Sequence, residues 1–326
     1  MSTAQARAHA NIALAKYWGK SDLEHNIPAT PSISLTLAEL YTDTRVTFRP
    51  ELDHDVVILN GEPARDSDHA RVCAALDRVR QRADISHRAQ VESKNNFPTA
   101  AGLASSASGF AALISAACTA SKADISLTER SAIARACSAS AARSFFGGFA
   151  ELPAGEPGAA DLAAHALAPE SHWDVRMVLG VMTSERKAVG STEGMERSRL
   201  SSPLYASWVE HAPRMADVIR DGIRARDINQ VGQAMEQSTF AFHSCALTSA
   251  PFIAYWMPAT LAAIHALRAL RDREDVPVWL TMDAGPHVKA LCLAQDVARV
   301  EQCLGSCEGV QRVLVAKPGP EIQVRA

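Results

Sequence analysis

The segment Asn95-Asn-Phe-Pro-Thr-Ala-Ala-Gly-Leu-Ala-Ser-Ser-Ala-Ser-Gly109 constrains the fold more than any other part of the chain. A β-rich stretch, Ala89 to Ser93, precedes it, and an apolar run, Phe110 to Cys118, follows. Most side chains after Phe97 are small, and three of the last five residues are serines. A strand that passes through such a loop into a helix leaves the first helical amides unpaired and partially positive. An end of that kind suits a phosphate. The same residues also read as a close-packed helix start, where small side chains let two backbones approach.

A chain of 326 residues suits one large or two medium domains, and 47% hydrophobic residues suffice for full cores. The formal net charge of -3 offers no whole-molecule attraction for nucleic acid or an anionic membrane. An anionic ligand therefore needs a local basic pocket. No apolar run approaches the length that spans a bilayer, and Met1 to Ala10 lacks the apolar core of a secretory signal. Seven cysteines stand singly in apolar segments; an odd count without CxxC spacing argues against a disulfide framework and a zinc site. They read as small buried hydrophobes in a reducing cytoplasm.

The pattern is α/β throughout. Strands are expected at Ser32 to Leu37, Thr44 to Phe48 and Val56 to Leu59, the last ending in the hairpin signal Asn60-Gly61. Helical spacing covers Asp66 to Arg82, Ser105 to Ala120 and Leu127 to Cys137, where Ser126 and Glu129 form a capping-box pattern. Leu152 to Pro169 reads as surface loop with a short helix. A buried strand at Asp174 to Met182 opens a second half. Helices follow at Pro203 to Arg226, Ile228 to Ala241, Pro258 to Arg273 and Asp296 to Leu304, with strands at Val278 to Met282, Val288 to Leu293 and Arg312 to Ala316. Two packed α/β layers are expected, not a doubly wound sheet, with domains 1–173 and 174–326.

Four constellations can carry chemistry. Asn11-Ile-Ala-Leu-Ala-Lys-Tyr-Trp-Gly-Lys20 places two lysines around an aromatic pair, a pocket for a polyanion or an ordinary strand end with solvated lysines. Its Gly19-Lys20-Ser21 imitates the end of a phosphate-binding P-loop but lacks the earlier glycine, since Leu14 stands there. The loop at 95–109 lacks the G-x-G-x-x-G of dinucleotide folds and has instead Pro-x-x-x-Gly-Leu-x-Ser-Ser. Ser138-Ala-Ser-Ala-Ala-Arg143 ends on a guanidinium among apolar neighbours, suited to clamp a carboxylate or phosphate or to form a structural salt bridge. Thr281-Met-Asp-Ala-Gly-Pro286 mounts an aspartate where an apolar strand enters a glycine turn, as a catalytic base is mounted or as a turn-former caps its own backbone.

The segments 11–20, 95–106, Ser191-Thr-Glu-Gly-Met195 and Met282-Asp-Ala-Gly-Pro286, in this order, resemble the diphosphomevalonate decarboxylase family of the GHMP small-molecule kinase superfamily. The likeness runs from about residue 9 to 320. It implies a ribosomal-S5-like N-terminal domain and a ferredoxin-like C-terminal domain. It also implies ATP-dependent decarboxylation of mevalonate 5-diphosphate in isoprenoid and sterol biosynthesis. ATP and Mg2+ would be required, in a cytoplasmic, usually homodimeric enzyme with no nucleic-acid or membrane partner.

Carried over by position, Asp283, Arg143 and Lys16 would be catalytic. Tyr17, Trp18, Lys20, Arg71, Ser138, Ala139, Ser140, Arg143 and Thr192 would bind substrate. Asn95, Ala101, Gly102, Leu103, Ser105, Ser106, Ser108, Lys187 and Ser191 would face ATP, with no protein residue assigned as a metal ligand. Two departures from the family pattern fall near the expected substrate pocket: Ala139 in place of glycine, and Thr30-Pro31 in place of Asn-Ser. Mevalonate 5-phosphate as substrate and a mevalonate 3-kinase are the alternatives. Retention of Asp283, Lys16 and Arg143 together speaks against the kinase.

Overall fold

A computed structural model describes residues 2–97, 105–183, 185 and 187–326. The first half begins with β1 (Ser2–Ala15) and a short ribbon of β2 (Lys20–Asp22) and β3 (Ile27–Pro28), followed by β4 (Ser32–Arg49). The hairpin β5 (Val56–Leu59) and β6 (Glu62–Pro63) leads to α1 (Asp66–Ala83), β7 (Arg88–Asn95), α2 (Ser105–Ser121) and α3 (Leu127–Cys137). A 3-10 helix (Ala139–Phe145), β8 (Phe149–Leu152) and β9 (His165–Ala168) complete this half. With β14 (Gln323–Arg325) contributed from the second half, the sheet order is β14-β1-β4-β7-β5-β6, with β8 added beside β4 and β9 beside β8, and β5 is parallel to β7.

The second half comprises β10 (Val175–Val181), α4 (Ser191–Ser201), α5 (Tyr205–Ala225), α6 (Ile228–Leu247) and α7 (Pro258–Glu274). It continues through β11 (Trp279–Met282), β12 (Val288–Leu293), α8 (Val297–Gly305) and β13 (Arg312–Ala316). Its antiparallel sheet has the order β11-β12-β10-β13. The tail then crosses back, and β14 (Gln323–Arg325) pairs with β1.

Several expectations hold and others are corrected. Asn60 and Gly61 both take positive φ, 54° and 88°, as the expected hairpin turn requires. α3 spans the expected residues, with the Ser126–Glu129 capping box formed. The two strands expected within 32–48 are one 18-residue strand. The expected loop with a short helix is wrong: β8 and β9 occupy its ends, and 153–164 carries turns without a helix.

β1, α4 and β14 were not expected. In β1, Ala4, Ala6, Ala8 and Ala10 alternate with polar residues, and alanine is a weak strand former read alone. Packing decides instead. The small residues of α2 (Ala111, Ala112, Ala116, Ala117) lie in one buried cluster with Ala4, Ala6 and Ala8, so helix and sheet approach closely.

One face of the second sheet (Val178, Leu280, Ala290) packs under α7 and α8. Its other face (Leu179, Leu291) joins Ile12, Leu14 and Leu35 of the first sheet and Val231 and Met235 of α6. β1 therefore ends against the second sheet. Lys16 N–H donates to Ser238 Oγ on α6 (2.9 Å), and Thr281 Oγ1 donates to the Ala13 carbonyl (3.3 Å). These ties bring the end of β1 to the end of β11.

Candidate active site

The end of β11 and the end of β1 open into a cavity of about 900 Å3 between the two halves. Asp283 leaves β11 into a turn closed by Gly285 N–H donating to the Asp283 carbonyl (2.7 Å) and held by Thr260 Oγ1 on the Pro286 carbonyl (2.7 Å). Lys16 Nζ donates to Asp283 Oδ1 at 2.7 Å, and Lys289 Nζ, from β12, donates to Oδ2 at 2.8 Å. Burial alone would raise the carboxyl, but the two ammonium groups hold it well below the usual carboxylate range. Burial, with a smaller contribution from the nearby Lys289 charge, lowers Lys16 to about 8 despite Asp283.

Arg143 sits in the 3-10 helix, 2% exposed. Its Nε donates to Ser34 Oγ (2.9 Å), Nη1 to Ser32 Oγ and Nη2 to Asn11 Oδ1 (3.3 Å). Asn11 is itself fixed by donating to the Ser140 carbonyl (3.0 Å) and Ser144 Oγ (2.8 Å). Among the described residues the guanidinium has no carboxylate partner, and burial lowers it to about 10. A cation desolvated by neutral acceptors alone, on a cavity wall, is set to receive an anion.

The expected substrate residues Tyr17, Trp18, Lys20, Arg71, Ser138, Ala139, Ser140 and Thr192 all line this cavity. Tyr17 Oη and Trp18 Nε1 are buried without a hydrogen-bond partner among the described residues. Trp18 is held from behind, where Trp208 Nε1 donates to its carbonyl (2.6 Å). Gly19 turns the chain at φ +114°, and a Cβ there would lie 2.1 Å from Tyr205 Oη, so only glycine fits. Ala139 lies within the 3-10 helix and is absent from the positive-φ residues, so its backbone makes no demand for glycine. Thr30 is fully buried and, like Pro31, lies off the cavity wall.

Lys187 and Ser191 stand at the mouth: Lys187 Nζ donates to Ser191 Oγ (2.7 Å) and to the Ala284 carbonyl (2.9 Å). Arg71, Ser105 and Ser106 line both this cavity and a second one of about 660 Å3. The second cavity is largely apolar, walled by Leu59, Val72, Val91, Phe110 and Leu113, with Asn95 at its edge. It suits a flat heterocycle, with the start of α2 between it and the polar cavity. Ser108 is placed differently from the expectation. It is fully buried, shares a hydrogen bond with Thr42 Oγ1 (2.7 Å) and lines neither cavity. Ala101, Gly102 and Leu103 lie outside the described residues.

Sequence reasoning missed Lys289, the serines Ser32 and Ser34 behind Arg143, and the apolar second cavity. A signal for Lys289 was available, because a lysine interrupts the apolar strand Val288–Leu293. Ser32 and Ser34 are spaced two apart, which places both on one strand face. His243 and His287 flank Asp283 and are also new. Burial holds them at about 3 and about 4, so both are neutral near pH 7. All seven cysteines are free, and among the described residues no cluster of His, Cys, Asp and Glu could hold a metal ion.

A family model described as the diphosphomevalonate decarboxylase-like N-terminal domain matches residues 8–164, and one described as the mevalonate 5-diphosphate decarboxylase C-terminal domain matches 177–315. The phosphomevalonate decarboxylase of Haloferax volcanii is 34% identical over 97% of this chain and 96% of its own. The diphosphomevalonate decarboxylase of Bos taurus is 37% identical over 89% of this chain and 77% of its own. A solved structure of MDDEF in complex with MVAPP, AMPPCP and magnesium superposes with a TM-score of 0.92, at 36% identity over 99% of both chains. The fold is thus that of the GHMP kinases, and the chain belongs to the diphosphomevalonate decarboxylase family.

Proposed function

We propose that this chain converts mevalonate 5-diphosphate and ATP to isopentenyl diphosphate, ADP, phosphate and carbon dioxide. The observation that carries the reading is the meeting, in one cavity, of a lysine-clamped carboxylate and a buried guanidinium with only neutral partners. A tertiary hydroxyl is a poor leaving group, and phosphorylation makes it a good one. As phosphate leaves, the bond to the carboxyl carbon breaks, and its electrons form the new double bond.

Each step then has a residue. Asp283, held ionised and therefore a weak proton acceptor, aligns the tertiary hydroxyl, whose proton passes to the phosphoryl oxygens and leaves with the released phosphate. Lys16 lies beside the transferring phosphoryl group and neutralises developing charge. Arg143 receives the substrate carboxylate with its planar fork and holds it until carbon dioxide leaves. Tyr17, Lys20, Arg71, Thr192 and the 138–140 segment take the diphosphate end, with Trp18 closing the wall. The apolar cavity takes the adenine, and Asn95, Ser105, Ser106, Lys187 and Ser191 serve the ATP phosphates. Mg2+ would be held mainly by those phosphates, since both Asp283 oxygens already accept from lysines and no His/Cys/Asp/Glu cluster among the described residues could hold it. The ion would supply charge neutralisation on the triphosphate.

The division into 1–173 and 174–326, with the tail strand returning to the first sheet, belongs to the same reading. So do a cytoplasmic location and a homodimer. Seven free cysteines support a reducing compartment. Among the described residues no helix is long and apolar enough to cross a membrane. Light scattering checks the dimer.

The test offers ATP and Mg2+ with mevalonate 5-phosphate or 5-diphosphate and measures ADP and carbon dioxide separately. Equal ADP and carbon dioxide from the diphosphate is expected. ADP without carbon dioxide would make the chain a kinase, and turnover of the monophosphate alone would move it to the reaction named for the Haloferax relative.

A further inference from the structure

Lys289 is the second residue of β12, in a sheet where most of its neighbours are apolar. Val288 and Ala290 enter the layer beneath α7 and α8, and Leu291, two residues on, shares the opposite face with Lys289. Across the sheet Lys289 is paired with Leu179 on β10 and Thr281 on β11. The flanking strand residues Val288, Ala290 and Leu291 are all buried and apolar. The lysine is itself 1% exposed, and burying an unpaired ammonium costs several kcal/mol. Its one hydrogen-bond partner among the described residues is Asp283 Oδ2. Stability alone does not explain a lysine here. Asp283 is reached from both sides, by Lys16 just past the end of β1 and by Lys289 on β12.

We propose that Lys289 is a positioning residue of the catalytic centre, which clamps Asp283 from the second sheet so that Lys16 can turn to the transferring phosphate while the carboxylate keeps its place and its charge. This rests on the assignment of Asp283 to the substrate hydroxyl. If Lys16 were the only clamp, each approach to phosphate would release the carboxylate it orients. With Lys289 fixed in a strand, Oδ2 stays anchored and only Oδ1 loses its donor.

Other charged or titratable groups facing this pair are Arg143 from the 3-10 helix, Lys187 at the mouth, His243 from α6 and His287 from the β11–β12 turn. The two histidines are neutral above about pH 5, and Arg143 keeps its proton to about 10. Lys187 is exposed along its chain, but its ammonium turns inward, and burial lowers it to about 8. It would titrate alongside Lys16.

The experiment compares wild type, Lys289→Met and Lys289→Arg, each also in a Lys187→Met background, by kcat and the pH profile of kcat/KM. For Lys289→Met we expect kcat to fall by about a hundredfold, the size of one lost electrostatic contact at a reacting centre. The alkaline limb should move up, by about one unit or less, because burial, the main cause of the lowered Lys16, stays in place while the added lowering by the Lys289 charge is lost. Lys289→Arg should keep the limb near its wild-type position and recover part of kcat. A fall in kcat with the limb unmoved would overturn the proposal and leave Lys289 a structural residue, as would unchanged kinetics. Should methionine not fold there, Lys289→Gln, which keeps a donor but no charge, is read by the same profile. Failure of the functional reading is distinct, because the wild type itself would then release no carbon dioxide from either substrate.

Discussion

Two buried arginines in the first half show how the same side chain is used for structure and for chemistry. Arg80, on α1, is 6% exposed and has charged partners: both Asp55 oxygens, with Nη1 at 3.0 Å from Oδ2, and Asp77 at 2.7 Å. Its Nε donates to the His87 carbonyl (2.9 Å), and Asp55 also accepts from Ala89 N–H (2.7 Å), tying α1 to β7. Burial opposes the charge, but the carboxylates more than offset it and the pKa is raised. Arg143 is buried as deeply, has two serines and an asparagine, and its pKa is lowered. Neutral partners alone do not make a site. Arg135 donates to the carbonyls of Leu162, Ala160 and His25, is 1% exposed and lines neither cavity. What distinguishes Arg143 is neutral partners together with a cavity wall.

The comparison breaks most visibly at the residue Arg143 faces. Asp283→Asn keeps the shape, removes the charge that holds two lysines, and should lower kcat by about a thousandfold or more; the loss of that anion lowers Tm, while the folded protein still binds ATP. Steady-state kinetics with nucleotide binding by fluorescence checks this, and near-normal turnover would remove Asp283 from its role. Next come the two arginines. Arg80→Met leaves Asp55 buried and unpaired and should cost about 3–5 kcal/mol in urea unfolding with kcat per folded molecule unchanged. Arg143→Lys keeps the charge but loses the fork, and carbon dioxide release should fall by about a hundredfold with little change in Tm. If the two substitutions produced the same pattern, the distinction between paired and waiting cations would be lost.

How much of this was legible in the sequence follows the same physics. Lys16, Asp283 and Arg143 stand in strings whose spacing is itself a signal, and they were named. The capping box and the Asn60-Gly61 turn are local chemistry, and both were read correctly. β1 was missed because alanine alternation is a strand only when a small-residue helix lies against it, which is a tertiary fact. Ser108 was assigned by its place in a serine run, but helical rotation turns it inward onto Thr42. Lys289 escaped because its partner lies across a turn. The lysine that interrupts an apolar strand is visible in the sequence, but the carboxylate it pairs with is a tertiary fact.

A gentler test titrates the cations themselves. Lys16, lowered to about 8 chiefly by burial, acts on phosphate only while protonated. In the free enzyme kcat/KM should therefore decline as pH rises through about 8, tenfold per unit at the steepest in a Lys187→Met background and more steeply where Lys187, also about 8, titrates with it. Bound phosphates stabilise the ammonium, so the limb in kcat should lie higher than the limb in kcat/KM. Coincident limbs would mean that Lys16 does not face the bound phosphates.

The smallest expected effect probes the neutral cradle. Ser34→Ala removes the acceptor of Arg143 Nε but leaves Ser32 and Asn11 in place. One such hydrogen bond to a charged group is worth about 1.5–3 kcal/mol, and the surviving acceptors recover part of it, so carbon dioxide release should fall by about five- to twentyfold. The loss should fall on the carboxylate step, with ADP formation slowed less than decarboxylation and the Km for ATP unchanged. If Ser34 merely filled space on β4, both products would fall together and Tm would drop with them. If instead activity rose, the serines would be competing with the substrate carboxylate for the guanidinium, and the neutral cradle would be a restraint on Arg143, not a support. The carbon dioxide to ADP ratio separates the three outcomes, and it does so only because Arg143, unlike Arg80, has no carboxylate among its described partners to hold it when a serine is gone.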